Sequence, residues 1–250
     1  MSAGALIAGL RAAPTVVLVH GLASSYRVWD RVVPRIESRA DVLAVHLASE
    51  HTIGADADDV AALLTAPAVL VGHSRGALVA TALAERHPHL VARLVLVCPP
   101  WSRESRLSAR SPVERALAVP GLGDLLWGMA SDARQRAAQQ TAFAPHVSVP
   151  DQFVADARAR GRRNVVRGSR AIDTYLGSRR LADRLRHLRV PADLVFGRLD
   201  ARVAAPANEF ATVPGTRVRE LPGVGHTPPW ERPETIVDLI VSAVDTIRAR

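Results

Sequence analysis

Residues 68–76 read Ala-Val-Leu-Val-Gly-His-Ser-Arg-Gly, and this stretch decides the fold. Its first four residues are apolar, which is typical of a strand covered by helices on both faces of a sheet. Small and apolar residues then predict a closely packed helix over residues 76–87, which Pro88 ends. A buried strand that passes into a helix through a Gly-x-Ser-x-Gly turn indicates an α/β protein with a mostly parallel sheet.

The rest of the chain alternates short β-branched runs with helical patterns. In addition to the strand at 68–71, we predict strands at residues 15–19, 41–47, 94–97, 193–196 and 216–221. Helices are predicted at residues 56–64 and, with Pro near its start, at residues 233–248. Fourteen residues precede the first clear strand, so we expect a doubly wound sheet of fewer than eight strands.

A different pattern occupies residues 101–188. This segment is rich in Arg and Ala, has helical periodicity, and is broken by prolines without any strand pattern. We therefore predict one α/β domain, formed by residues 1–100 and 189–250, with an inserted helical segment at 101–188. Residues 101–190 contain 17 Arg and 8 acidic residues, a net charge of +9, whereas the rest of the chain carries −1.

The composition is that of a folded globular protein, with 48% hydrophobic and 22% charged residues. All 32 basic residues are Arg, and the net charge is +8. Aromatic residues are sparse, which argues against a nucleic-acid-binding surface. Because Cys98 is the only cysteine, no intrachain disulfide is expected.

No targeting or membrane-spanning segment is predicted. The apolar stretch at residues 3–10 is broken by Gly4 and Gly9 and lacks the basic start of a secretion signal. No uninterrupted apolar run is long enough to span a bilayer. We therefore expect a cytoplasmic protein.

Ser74 stands at the centre of the turn and is the candidate nucleophile. A turn this tight holds the serine hydroxyl above the sheet, at a helix N-terminus whose dipole favours developing negative charge. Larger residues in place of Gly72 or Gly76 would collide with neighbouring chain. A five-residue match also arises by chance, so its weight comes from the strand before it and the helix after it.

With this turn between its strand and its helix, the chain resembles the α/β-hydrolase superfamily over nearly all of residues 15–250. The inserted segment matches the family only in position and helical character. The resemblance implies a Ser–His–Asp triad, with the histidine on a loop after the last strand as the base. His226 matches that position, between the glycines at 223 and 225 and the prolines at 228 and 229.

The resemblance also implies a carboxylate that fixes the tautomer of the histidine. Residues 196–200, Phe-Gly-Arg-Leu-Asp, resemble the family's strand–Gly–x–x–Asp loop, which makes Asp200 the candidate acid. Some relatives place the acid after an earlier strand, but the corresponding residues 98–101 contain none. Asp193 lies inside a predicted strand, away from the catalytic edge.

An oxyanion hole is implied next to the nucleophile. The sequence His20-Gly21-Leu22 resembles the family's His-Gly motif after the first strand. The backbone N–H groups of Leu22 and Arg75 are the candidate donors. Relatives more often have an apolar residue after the serine, and we expect a structural or surface role for the Arg75 side chain in preference to binding an anion.

The inserted segment resembles the helical cap that covers the active site in many relatives. Trp101, Trp127 and Phe143 are candidates for lining a substrate pocket, and the alternative is that they form the core of the cap itself. The charge of the segment fits an anionic substrate, such as a thioester on an acidic carrier, or simply solvated helix faces.

We therefore predict a serine hydrolase that cleaves a carboxylic ester or thioester through an acyl-enzyme on Ser74. The same triad also supports an acyl-transferring cyclase or thioesterase and a C–C hydrolase. A relative that only binds a small molecule is the alternative of another class. The expected partner is a small acyl substrate, free or carrier-bound, and we expect no metal ion, cofactor or nucleic acid.

Overall fold

A six-stranded parallel sheet organises the part of the chain that the computed structural model describes, residues 13–249 without residues 50 and 111. The strands are β1 (Thr15–Val19), β2 (Asp41–Val45), β3 (Ala68–His73), β4 (Val91–Val97), β5 (Ala192–Gly197) and β6 (Thr216–Leu221). Their order is β2-β1-β3-β4-β5-β6, and every neighbouring pair is parallel. The predicted parallel sheet of fewer than eight strands is thus confirmed for the described residues, while residues 3–10 lie outside them.

Helices cover both faces of the sheet and connect β2 to β3, β3 to β4 and β4 to β5. They are α1 (Ile53–Ala61), α2 (Arg75–Arg86), α3 (Pro112–Leu117), α4 (Leu122–Gly128), α5 (Asp132–Gln140), α6 (Asp151–Ser178), α7 (Leu181–His187), α8 (Pro228–Glu231) and α9 (Pro233–Arg248). Short 3-10 turns lie at Tyr26–Trp29, Val33–Arg35, Pro88–Leu90 and Ser108–Arg110. Among the described residues, no helix is both long and apolar enough to cross a membrane.

The core lies on both faces of the sheet because the strands are apolar on both sides. Val17 and Leu70 point into a cluster with the side chains of α1 and α2, whereas Val16 and Val69 point into a second cluster with α9. All four side chains are fully buried. Because the strands are parallel, their carboxyl ends meet at one edge of the sheet, where ligands bind in sheets of this type.

Several predicted boundaries differ from the structure, and two of the differences have local reasons. Strand β2 ends at Val45 because the N–H of Leu47 instead donates to Nε2 of His20, at 3.1 Å. Helix α1 begins at Ile53, three residues before the predicted start, because the hydroxyl of Thr52 accepts from the N–H of Ala55 and caps the helix.

The described residues between β4 and β5 contain helices α3 to α7 and no strand within the sheet. The longest, α6, is interrupted at Gly161, whose φ of 73° and ψ of 166° are not helical. The part of α6 that precedes Gly161 contacts the loops after β1 and β2 through Asp156 and Arg160. The helical segment therefore lies over the edge of the sheet at which the strands end.

Gly76 is where the first turn of α2 touches the end of β1. A Cβ atom at this position would lie 2.2 Å from the carbonyl oxygen of Val19 and 2.6 Å from that of His20. Both contacts are to backbone, so neither can be relieved by rotating a side chain. The helix thus approaches the sheet as closely as a glycine allows.

We predict that Gly76→Ala lowers the free energy of unfolding by about 3 kcal/mol or more, because overpacking against backbone is costly. Gly54→Ala in α1 is the matched control, since its Cβ would meet the nearest atom at 3.8 Å. The control should change stability by no more than about 1 kcal/mol, in the stabilising direction expected of alanine in a helix. Urea unfolding of both variants measures the difference, and equal stabilities would contradict this packing account.

Candidate active site

Ser74 lies in a strained turn between β3 and α2. Its φ of 53° and ψ of −116° fall in a region that residues other than glycine rarely adopt. Its N–H donates to the carbonyl oxygen of Val97 at 2.8 Å, which ties the turn to the end of β4. A Cβ on Gly21 would lie 3.2 Å from that of Ser74, so the loop after β1 also passes close to it. The conformation is held from both neighbouring strands.

The structure brings Ser74, His226 and Asp200 together. Ser74 Oγ donates to His226 Nε2 at 2.9 Å, and His226 Nδ1 donates to Asp200 Oδ2 at 2.7 Å. The side chains of His226 and Asp200 are only 4% and 2% exposed. A histidine held in this tautomer can take a proton from the serine hydroxyl and pass it on.

Asp200 is surrounded by donors. Besides the bond to His226, its Oδ1 accepts from the N–H groups of Arg202 at 2.7 Å and Val203 at 2.9 Å. Burial by itself raises the pKa of this carboxyl, but the neighbouring His226 and these hydrogen bonds lower the pKa below its usual value overall. The carboxylate is therefore ionised at neutral pH and able to stabilise an imidazolium.

Asp193 plays a different part, as its position within β5 predicts. Its Oδ2 accepts from Nε and Nη2 of Arg93, at 2.9 and 2.7 Å, and its Oδ1 lies 3.3 Å from Nε of Arg217. These bonds link β5 to strands β4 and β6. Asp193 thus forms a buried ion pair within the sheet, away from Ser74.

Two further residues hold the loop of His226, and the sequence motifs did not identify either role. Glu231 Oε2 accepts from the N–H groups of Gly225 and Ala144, both at 2.9 Å, and its Oε1 accepts from that of Thr227 at 3.1 Å. His73 Nε2 donates to the carbonyl oxygen of His226 at 2.8 Å. Burial lowers the pKa of His73 to about 3, so the ring is a neutral structural donor. The sequence offered one signal for the role of Glu231: it is an acidic residue four positions after Thr227, at the end of a turn that begins with proline.

Leu22 and Arg75 carry the candidate oxyanion donors, and both lie near Ser74. Leu22 lines the same cavity as Ser74 and His226, and Arg75 is the first residue of α2. The guanidinium of Arg75 is fully buried and forms a 2.5 Å ion pair with Asp56 in α1. Its Nη2 also donates to the carbonyl oxygen of His51, at 3.2 Å. The side chain therefore has a structural position, and its backbone N–H lies at the start of the helix.

A cavity of about 500 Å³ opens beside Ser74, within the range typical of small-molecule sites. From the core it is lined by Leu22, Ser74 and His226. Trp127, Val165 and Ile172 line it from the helical segment. Ser74 thus faces a space with apolar side chains from both parts of the chain.

The structure corrects the prediction for two of the three aromatic pocket residues. Trp127 lines the cavity, but Trp101 and Phe143 are not among the described lining residues. Phe143 is 2% exposed and packs edge-on against Phe153, with ring centroids 4.9 Å apart. Trp101 donates its Nε1–H to the carbonyl oxygen of Ala204 at 2.9 Å. Trp101 thus links the helical segment to the core, and Phe143 is buried in the apolar cluster that contains Val224 and the side chains of α9. The sequence pattern could not distinguish either role from lining a pocket.

Cys98 lies beside Asp200 and His226. Ligand atoms of Cys98, Asp200 and His226 lie within 4.8 Å of one another, a grouping that has donor types used by zinc. Burial raises the pKa of the Cys98 thiol, with a further rise from the nearby Asp200, so the thiol is protonated at neutral pH and a poor ligand. The carboxylate of Asp200 and the imidazole of His226 are already hydrogen-bonded to each other.

The sequence is similar to those of known hydrolases over most of its length. A family model described as "Alpha/beta hydrolase family" matches residues 16–239. The chain is 29% identical over 253 residues to a pimeloyl-[acyl-carrier protein] methyl ester esterase from Aromatoleum aromaticum, covering 92% of this chain and 98% of the relative. A protein of the same name from Neisseria meningitidis serogroup B is 28% identical over 228 residues, covering 85% and 86%.

Among solved structures, an esterase from Thermogutta terrifontis superposes with a TM-score of 0.67. The two are 22% identical, and the alignment covers 94% of this chain and 91% of the esterase. At this identity the likeness concerns the fold. Since the family model spans most of the chain, the chain belongs to the alpha/beta hydrolase family.

Proposed function

We propose that this protein is a serine esterase that forms an acyl-enzyme on Ser74. The observation that carries the proposal is the continuous set of hydrogen bonds from Ser74 Oγ through His226 to Asp200, with distances of 2.9 and 2.7 Å. Ser74 and His226 also line the cavity. A binding module has no need of a strained serine aligned with a buried histidine and carboxylate.

In the proposed reaction, Ser74 Oγ attacks the ester carbonyl carbon while its proton passes to His226 Nε2. The negative oxygen of the intermediate accepts from the N–H groups of Leu22 and Arg75. The C–O bond then breaks, and His226 returns the proton to the departing alkoxide, which leaves as the alcohol. Water attacks the acyl-enzyme by the same route, releases the acid and restores Ser74.

We assign the helical segment at residues 101–188 as a cap over this site, with residues 1–100 and 189–250 as the core. Three observations support the assignment: the segment separates β4 from β5, it contributes Trp127, Val165 and Ile172 to the cavity, and it contacts the loops beside Ser74. A cap of this kind selects the substrate and excludes water from the acyl-enzyme.

The acyl substrate is proposed to be attached to an acidic carrier protein. Two relatives that align over most of their length are named as esterases of a methyl ester on an acyl-carrier protein. The charge of +9 on residues 101–190 favours an acidic partner. In α6, Arg163, Arg167 and Arg170 are exposed and spaced by four and three residues, so they lie on one face of the helix.

We predict that Asp200→Asn lowers kcat about 10⁴-fold. Oδ1 accepts from two backbone N–H groups, so the amide would keep its oxygen there and direct its NH₂ towards His226. The ring would then carry its proton on Nε2 and could not accept one from Ser74. Hydrolysis of p-nitrophenyl acetate measures the loss, with Ser74→Ala as the inactive reference. Turnover by Asp200→Asn at the wild-type rate would show that another group orients His226.

A second prediction concerns the carrier. The double variant Arg163→Glu/Arg170→Glu should raise KM about tenfold for a methyl ester on an acyl carrier, because like charges then oppose docking. For the same acyl chain as a free methyl ester, KM and kcat should stay unchanged. Added salt should raise KM of the wild type for the carrier-bound ester only.

The matched control for this pair is Arg219→Glu, an exposed charge reversal on β6 at the far edge of the sheet. It should alter neither substrate's KM. Equal effects of the cap variant and the control, or equal effects on free and carrier-bound esters, would contradict docking on α6.

A further inference from the structure

Arg160, in the first half of α6, reaches from the helical cap into the loops beside the nucleophile. Its Nε donates to the carbonyl oxygen of Ser24 at 2.9 Å, and its Nη1 donates to that of Leu47 at 2.6 Å. Its Nη2 donates to Nε2 of His20 at 3.1 Å. One planar guanidinium thus joins the cap, the loop after β1 and the loop after β2.

His20 is arranged to receive this contact. Its Nδ1 donates to the carbonyl oxygen of Gly21 at 2.8 Å, so Nε2 carries no proton and accepts from both Leu47 N–H and Arg160. The ring is 1% exposed, and burial lowers its pKa to about 3. His20 is therefore a neutral acceptor over the whole range in which an esterase works.

The two anchor points in the loop after β1 lie on either side of Leu22. His20 precedes it by two residues and Ser24 follows it by two. Between them, Ala23 has a φ of 55°, a left-handed conformation that a residue with a side chain adopts only when its surroundings impose it. A neighbouring bond, from Ser25 Oγ to Asp156 Oδ2 at 2.6 Å, ties the same loop to α6 a second time.

We infer that Arg160 is a positioning residue for the oxyanion hole: it fixes the peptide of Leu22 by binding the loop on both sides of it. The inference rests on the proposed function, in which the N–H of Leu22 is one of the two donors. An oxyanion donor stabilises the transition state only when it is aimed in advance at the oxygen. The rigid fork of a guanidinium can hold several acceptors in one geometry, which the flexible ammonium of lysine cannot.

Arg160→Met tests the inference, because methionine keeps much of the apolar stem and removes every hydrogen bond. We expect kcat for p-nitrophenyl acetate to fall about 10- to 100-fold, less than the loss of a whole oxyanion donor. KM should change by no more than about twofold, since the contact matters chiefly in the transition state.

The readout that separates positioning from general stability is a trifluoromethyl ketone inhibitor. Ser74 Oγ adds reversibly to the carbonyl carbon of such a ketone. The oxyanion that results occupies the position of the oxyanion in the tetrahedral intermediate. Its inhibition constant should rise by the same factor by which kcat/KM falls. A variant that is merely less stable would lose active protein without this change in the affinity of the folded fraction.

Arg158→Met is the matched control, two residues away on α6. Arg158 bonds within the cap, to Asp132 at 2.7 Å and to the carbonyl oxygen of Ala130 at 2.9 Å. It should keep wild-type kcat and inhibitor affinity. Arg160→Lys covers the case in which Arg160→Met does not fold, and its kcat should be intermediate because an ammonium cannot bridge both sides of Leu22.

Three results would overturn the inference: Arg160 variants with wild-type kcat and inhibitor affinity, a rise in KM with kcat unchanged, or equal losses in the Arg158 control. These outcomes differ from failure of the proposed function. If the proposed function were wrong, the wild-type protein itself would show no more ester turnover than the Ser74→Ala variant.

Discussion

The close approach of α2 to the end of β1 is the contact on which the rest of the site depends. Because Gly76 has no side chain, the helix begins against the carbonyl oxygens of Val19 and His20. The preceding Ser74 must then turn through a positive φ, which exposes its hydroxyl above the sheet edge. That strain is maintained by β4, through the bond to Val97, and by the packed strands beneath.

Both loops that face Ser74 are held by charged side chains that bind polar groups of the loop. Glu231 accepts from N–H groups on either side of His226, and Arg160 donates to groups on either side of Leu22. In each case the helical segment takes part, since Glu231 also binds Ala144 and Arg160 belongs to α6. The placement of His226 and of the proposed oxyanion donor is thus coupled to the way the helical segment sits on the rest of the chain.

The sequence predicted the parts of the fold whose signals are local. Runs of β-branched residues marked all six described strands, and the turn around Ser74 marked the point at which strand passes into helix. The partners of Ser74 were predicted from the resemblance to the α/β-hydrolase family, in which each of them follows a strand end. Glu231 was missed because its donors are backbone N–H groups, which carry no residue signature, and one of them, that of Ala144, is distant in sequence. Arg160 was missed because all its acceptors lie more than 100 residues away along the chain. Trp101 and Phe143 could not be assigned for a related reason: an apolar side chain looks the same in a core and in a pocket.

Covalent labelling of Ser74 tests the central claim most directly. A fluorophosphonate reacts with a serine only when a base removes its proton and the oxyanion is stabilised, so labelling reports the assembled site rather than the motif. Mass spectrometry of the labelled protein should show one adduct, located on Ser74 and absent from Ser74→Ala. No adduct, or an adduct on another serine, would contradict the proposal that this chain is a serine esterase acting through Ser74.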